Sequence, residues 1–144
     1  MHRTLTESAP APYEFIPNVK TSRGTQTVLL DGLYRARNRE GSDVILSLKV
    51  VRQARSMRTL ARTRADEMLG EIARYRELTS RAAKGWLLLV LPDEVEPPEI
   101  EERRQLEDRL NQTLVGLAFA SVVHETELDS LPQRFDQIFY NDRD

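Results

Sequence analysis

Residues 28–51, VLLDGLYRARNREGSDVILSLKVV, decide how this chain folds. Two largely apolar runs with a period of two are separated by Asn38-Arg39-Glu40-Gly41-Ser42, residue types that favour turns. The first run extends from Thr25 to Arg37. It places Val28, Leu30, Tyr34 and Ala36 on one face of a strand, with Leu29, Asp31, Leu33 and Arg35 on the other. The second run, Asp43 to Val51, sends Val44, Leu46, Leu48 and Val50 one way and Ile45, Ser47, Lys49 and Val51 the other. Together they read as a β-hairpin.

Working outward, residues 13–19 (Tyr-Glu-Phe-Ile-Pro-Asn-Val) are expected to form a short edge strand, because Pro17 lacks the amide a central strand must donate. Residues 1–12, with Ala9-Pro10-Ala11-Pro12, read as a flexible N-terminal arm. Downstream, residues 56–80 predict a helix. Ser56 stands at its cap, and Met57, Leu60, Ala61, Ala65, Met68, Leu69, Ile72, Ala73 and Tyr75 recur at three- and four-residue spacing. Lys84-Gly85 is expected to stop it. Trp86 to Leu91 is apolar at every position, the pattern of a parallel strand covered on both faces. Pro97-Pro98 then opens a second helix to about Val115, with acids in its first turn where the helix dipole favours them. Leu117 to His124 is the last strand, and a short helix through Phe135, Ile138 and Phe139 docks the tail, 129–144. The prediction is one α/β domain over residues 13–128. Its order is β-β-β-α-β-α-β, a mixed β-sheet flanked by helices.

The 144-residue length suits one domain, and 40% hydrophobic residues suffice for its core. The absence of cysteine excludes disulfide frameworks, thiolate metal sites and cysteine nucleophiles. His124 is the single histidine outside the arm, which excludes histidine-rich zinc hydrolase schemes. Neither G-x-x-x-x-G-K-[ST] nor G-x-G-x-x-G occurs, so those nucleotide cradles are absent. No apolar run approaches the length of a membrane span or signal peptide, so a soluble cytoplasmic protein without a membrane partner is expected. The net charge of −2 conceals a separation. Between Arg35 and Arg64, eight arginines and Lys49 meet only Glu40 and Asp43, a balance of +7; between Asp93 and Asp129, eleven acids meet Arg103, Arg104 and Arg109, a balance of −8. Such a dipolar surface suits a charged partner, and equally suits mutual neutralisation across the fold.

The residues with chemical potential lie on the hairpin. Leu30-Asp31-Gly32 is on its first strand and Ser47-Leu48-Lys49 on its second, with Ser47 and Lys49 sharing one sheet face. This arrangement, followed by a helix and a buried strand, resembles the PD-(D/E)xK nuclease superfamily, whose members place an aspartate on one hairpin strand and an acid-x-lysine triplet on the next. The resemblance covers roughly residues 13 to 126 and implies a restriction-endonuclease-like core. It assigns Asp31 to the metal-binding aspartate and Lys49 to the lysine that orients the attacking water or stabilises the phosphorane. Where the family has Glu or Asp, this chain has Ser47, a neutral hydroxyl and a poor ligand for Mg²⁺. RecB-like exonucleases of the family take a ligand from the following helix through Q-x-x-x-Y; Glu71-Ile72-Ala73-Arg74-Tyr75 is an E-x-x-x-Y version. At about 100° per residue, Arg64, Glu71 and Tyr75 fall on or beside the apolar stripe of that helix.

Three functions follow. The first is a nucleic-acid-binding domain of nuclease ancestry with an incomplete site, binding DNA, or RNA, through Arg52, Arg55, Arg58 and Arg62. The second is an active Mg²⁺-dependent DNA endonuclease using Asp31, Glu71 and Lys49, with Asp31 and Glu71 on the metal. The third is a non-catalytic interaction module that pairs with a second copy or a partner subunit. Each residue also has a plain reading: Asp31 as strand-end polarity, Glu71 as an ion-pair partner of Arg64 or Arg74, the arginine row as a solvated helical face.

Overall fold

The computed structural model of the chain describes residues 13–37, 41–92 and 100–130. The expected N-terminal arm, the Asn38-Arg39-Glu40 part of the turn, the Pro97-Pro98 helix start and the docking helix of the tail lie outside these. Five strands and two helices follow the predicted order: β1 (Tyr13–Arg23), β2 (Gln26–Ala36), β3 (Asp43–Val50), a 3-10 turn (Ala54–Ser56), α1 (Met57–Thr79), β4 (Ala83–Leu91), α2 (Ile100–Leu114), β5 (Ala118–His124) and a second 3-10 turn (Glu125–Ser130). The sheet is mixed and its strands lie in sequence order, β1-β2-β3-β4-β5. β1, β2 and β3 are antiparallel neighbours, while β3, β4 and β5 are parallel, so each parallel step is a helical crossover.

Strand β4 is the centre of the core. All nine of its residues are buried, as its unbroken apolar run requires of a strand between two parallel neighbours. Leu87 and Leu89 face both helices, packing with Ile45 of β3, Met68 and Ile72 of α1, and Leu106 and Leu110 of α2. The two crossovers step in the same direction along the sheet, and both described helices pack on that one face, as crossovers of one hand require. Trp86, Leu88 and Val90 point the other way into a second cluster with Phe15, Tyr34, Val44 and Leu46, against which Leu128 packs. The Trp86 indole donates to Ser121 Oγ at 3.1 Å, satisfying the polar edge of a fully buried ring.

Three details differ from the sequence expectation. Lys84 and Gly85 do not stop α1; both are buried inside β4, and Gly85 lets α1 approach, since a Cβ there would lie 2.6 Å from Met68 Sδ. The helix ends at Ser80, within its predicted range, in the left-handed conformation (φ 57°), and the Ser80 amide donates to the Arg76 carbonyl. Ser56 makes no side-chain cap, because the 3-10 turn already engages that segment. The faces of β2 also switch midway: Val28, Leu30 and Leu33 all join the helix-side core, whereas Tyr34 joins the other. The switch falls at Asp31-Gly32, opposite Pro17-Asn18, where Asn18 takes a φ of 50°. The β1–β2 register is unchanged across it, so both strands twist together. Gly32 makes this possible, as a Cβ there would lie 2.7 Å from the Phe15 ring.

After that twist, β2 stays beside β3 for only three residue pairs, Gly32↔Leu46, Leu33↔Ile45 and Tyr34↔Val44. An aspartate closes each end of this short ladder. At one end Asp31 Oδ2 accepts the Leu48 amide at 2.9 Å; at the other, Asp43 Oδ1 accepts the Ala36 amide at 2.9 Å. Asp43 is fully buried and held by Arg81 through Nε–Oδ2 (2.7 Å) and Nη2–Oδ1 (3.0 Å), with the Tyr75 hydroxyl donating to Oδ2 at 2.5 Å. Burial pushes its carboxyl up, but the donors Arg81, Tyr75 and the Ala36 amide outweigh that and hold it below the usual aspartate range.

The pH consequence of Asp43 has a definite sign. A carboxyl depressed in the fold contributes stability that is full above its unfolded value, about 3.9, and is lost as pH falls through the lower folded value. Asp43→Asn is therefore expected to cost about 3 kcal/mol at pH 7, because it leaves the Arg81 charge without its partner. Urea unfolding at several pH values should show this deficit shrinking below pH 4. A deficit independent of pH would assign the loss to packing instead.

Candidate functional site

The site grows from the place where β2 and β3 part. Beyond the Gly32↔Leu46 pair the strands no longer exchange backbone bonds, and the opening is filled by side chains from β2, β3 and α1. Ser47 is buried on the helix-side face of β3, and the next residue on that side, Lys49, is exposed. Asp31 extends its carboxylate across the opening to the Leu48 amide.

Arg64 of α1 supplies the cation here. Its Nη2 lies 2.5 Å from Ser47 Oγ and 3.5 Å from Asp31 Oδ2, and its Nη1 lies 2.5 Å from Glu67 Oε2. The Arg64 side chain is 21% exposed, against 46% for Asp31 and 49% for Glu67, so the guanidinium is the sheltered member and the carboxylates form the rim. Arg64, Glu67 and Glu71 lie three and four residues apart, which sets them on one flank of α1. Glu71 is half-buried. Desolvation pushes its carboxyl above the usual range; Arg64 and Arg74 oppose this, while Asp31 and Glu67 reinforce it.

Of the candidates read from the sequence, Asp31 and Glu71 are thus brought into one electrostatic neighbourhood, around Arg64. Lys49 is placed on the same sheet face one strand repeat beyond Ser47, but it forms no ion pair among the described residues. Tyr75 does not reach this cluster; its hydroxyl is committed to Asp43, and burial followed by that bond drives it well above the ordinary tyrosine range. Arg52 and Arg55 flank the start of α1, and Arg58 and Arg62 project from its first two turns; all four are exposed. Arg55 lies in the 3-10 turn rather than in the helix, with Nε bonded to Gln53 Oε1 at 3.1 Å. Two acids escaped the sequence reading, one in this cluster and one at the other end of the β2–β3 ladder. Glu67 was signalled by its spacing between Arg64 and Glu71, and Asp43 was masked by its place directly after turn residues.

The donor set suits an internal guanidinium better than a divalent ion. Mg²⁺ asks for several oxygen ligands at close range. Here Asp31 Oδ2 already serves the Leu48 amide and Arg64, and Ser47 brings a neutral oxygen. Among the described residues no group of three acidic or histidine side chains is arranged to hold a metal ion. A permanent cation at the centre would also repel a second one.

Among the described residues no helix is long and apolar enough to cross a membrane. Comparison of the whole chain with protein-family models and with curated proteins returns no match.

A carboxyl raised in the fold destabilises when it ionises. Between its unfolded and its folded pKa the native state holds more protons than the unfolded one, so stability falls as pH rises through that window. Glu71→Gln is therefore expected to raise the melting temperature at pH 7 and to match the wild type near pH 4. A lower melting temperature for the variant at pH 7 would mean that Glu71 is a net stabilising partner of Arg64.

Proposed function

We propose that this chain is a nucleic-acid-binding domain, related in fold to PD-(D/E)xK nucleases, that holds the phosphate backbone without cleaving it. The observation that carries this reading is the arginine group at the start of α1. Arg52, Arg55, Arg58 and Arg62 are exposed, and none pairs with a carboxylate among the described residues. The first turn of α1 contains no acid. Arg58 and Arg62 are four apart, so their like charges cost about 0.2–0.5 kcal/mol by repulsion, which a polyanion would reverse. The positive end of the α1 dipole adds to their field. Lys49, at the end of β3, extends the same charge.

The absence of cleavage follows from Arg64 standing between Asp31 and Ser47. The cleaving alternative needs Mg²⁺ on Asp31 and Glu71 with Lys49 beside it, and the bonds that Asp31 makes oppose that. DNA is the proposed partner, with phosphate contact dominating over base reading, because arginines at a strand end and on one helix face can follow a backbone.

Fluorescence anisotropy with a labelled DNA duplex, its single strand and the matching RNA tests the reading. Four phosphate contacts predict that log K falls against log salt with a slope of about −3 to −4. Arg58→Glu with Arg62→Glu is expected to weaken binding at least about tenfold and to flatten that slope by about 2. No binding of any of the three at low salt, or binding unaffected by the double charge reversal, would refute the proposal. Plasmid nicking in Mg²⁺ or Mn²⁺ that disappears in Lys49→Ala would establish the cleaving alternative.

A further inference from the structure

The far edge of the sheet is closed by an unusual device. β5 has β4 on one side and, among the described residues, no strand on the other. Amides two residues apart on a strand present the same side, so Ala120, Val122 and His124 form one row. Each is bonded to a side chain: Ala120 N donates to Asn111 Oδ1 at 2.8 Å, Val122 N to Glu107 Oε1 at 2.6 Å, and His124 N to Glu127 Oε1 at 2.9 Å. The third acceptor is held by Arg103, whose Nη1 donates to the same Glu127 Oε1.

The spacing explains the two bonds made from α2 and the place of Arg103 beside the third. Arg103, Glu107 and Asn111 lie four apart on α2, half-buried beside its apolar stripe Leu106, Leu110 and Leu114. Four helical residues advance about 6.0 Å. Two strand residues advance about 6.6 Å. A row at every fourth position of the helix therefore keeps step with a row at every second position of the strand. As α2 runs forward from Glu107 to Asn111, the bonded amide steps back from Val122 to Ala120, as expected of a crossover helix antiparallel to its strand.

An open edge with unpaired amides is a template for another chain. We propose that the Arg103–Glu107–Asn111 row, completed by Glu127, acts as a surrogate sixth strand that prevents β5 from pairing with a second copy of this protein. The edge is sealed by acceptors rather than by bulk, so isosteric replacements that keep an oxygen at the same place keep the seal.

Amide hydrogen exchange and light scattering on the full chain test this. In the wild type, the Ala120 and Val122 amides are expected to be protected despite their edge position. Glu107→Ala with Asn111→Ala is expected to speed their exchange about tenfold, the loss of about one hydrogen bond each. The same variant is expected to show an apparent mass that rises toward a dimer with concentration. Glu107→Gln is expected to retain protection at Val122 and the wild-type mass. Should the double variant fail to fold, Glu107→Ala alone gives the same readout at Val122. Unchanged exchange, or unchanged mass at all concentrations in a folded variant, overturns the proposal.

Discussion

The short contact between β2 and β3 is the constraint on which the rest of this molecule turns. It joins the antiparallel hairpin to the parallel half of the sheet through three residue pairs, and an aspartate ends it on each side. Each aspartate has an arginine counterpart from α1 or just after it, Arg64 for Asp31 and Arg81 for Asp43. The helix thereby fastens both ends of the seam it packs across. The two ends differ in exposure. Asp43 is wholly buried with four donors, a structural arrangement whose removal leaves a charge stranded. Asp31 is nearly half exposed and belongs to a charged cluster open to solvent.

That difference separates a chemical reading of the chain from a structural one. An aspartate and a lysine on adjacent hairpin strands invite a metal, but the helix that follows brings a guanidinium to the centre of the acids. A fixed organic cation and a hydrated divalent ion solve the same electrostatic problem for clustered carboxylates, and they exclude each other at short range. Arg64 offsets part of the charge of these acids, and the exposed arginine group beside Lys49 is a separate cluster of positive charge. This division, a sheltered Arg64 held by rim carboxylates and an outer arginine group with no carboxylate partner among the described residues, is the basis of the proposed backbone binding.

Much of the fold was legible in the sequence because its strongest signals are local. The alternation from Val44 to Val51 predicts both faces of β3, and it holds because each face meets a packed cluster. The unbroken apolar run of β4 predicts its central parallel position, and Pro17 predicts an edge strand. What was not legible depends on residues far apart in the chain. The change of face at Asp31-Gly32 arises from the partner strand and from the Phe15 ring over Gly32. Asp43 finds its partners 32 and 38 residues away, so nothing near it marks it as buried. The stop of α1 at Ser80 uses a non-glycine residue at positive φ, whereas the more obvious Lys84-Gly85 is needed inside β4 for close packing. In the site, helical periodicity placed Arg64 and Glu71 toward the sheet, but only the splay of β2 from β3 explains why Arg64 reaches Ser47.

Manganese titration of the isotopically labelled protein, followed by paramagnetic broadening of backbone amides, asks directly whether Arg64 has taken the place of a metal. With Arg64 seated between Asp31 and Ser47, the amides of Asp31, Leu48 and Glu71 are expected to broaden no more than those of exposed acids elsewhere. Saturable broadening centred on those three amides in the wild-type protein would contradict the account and restore the cluster as a metal centre.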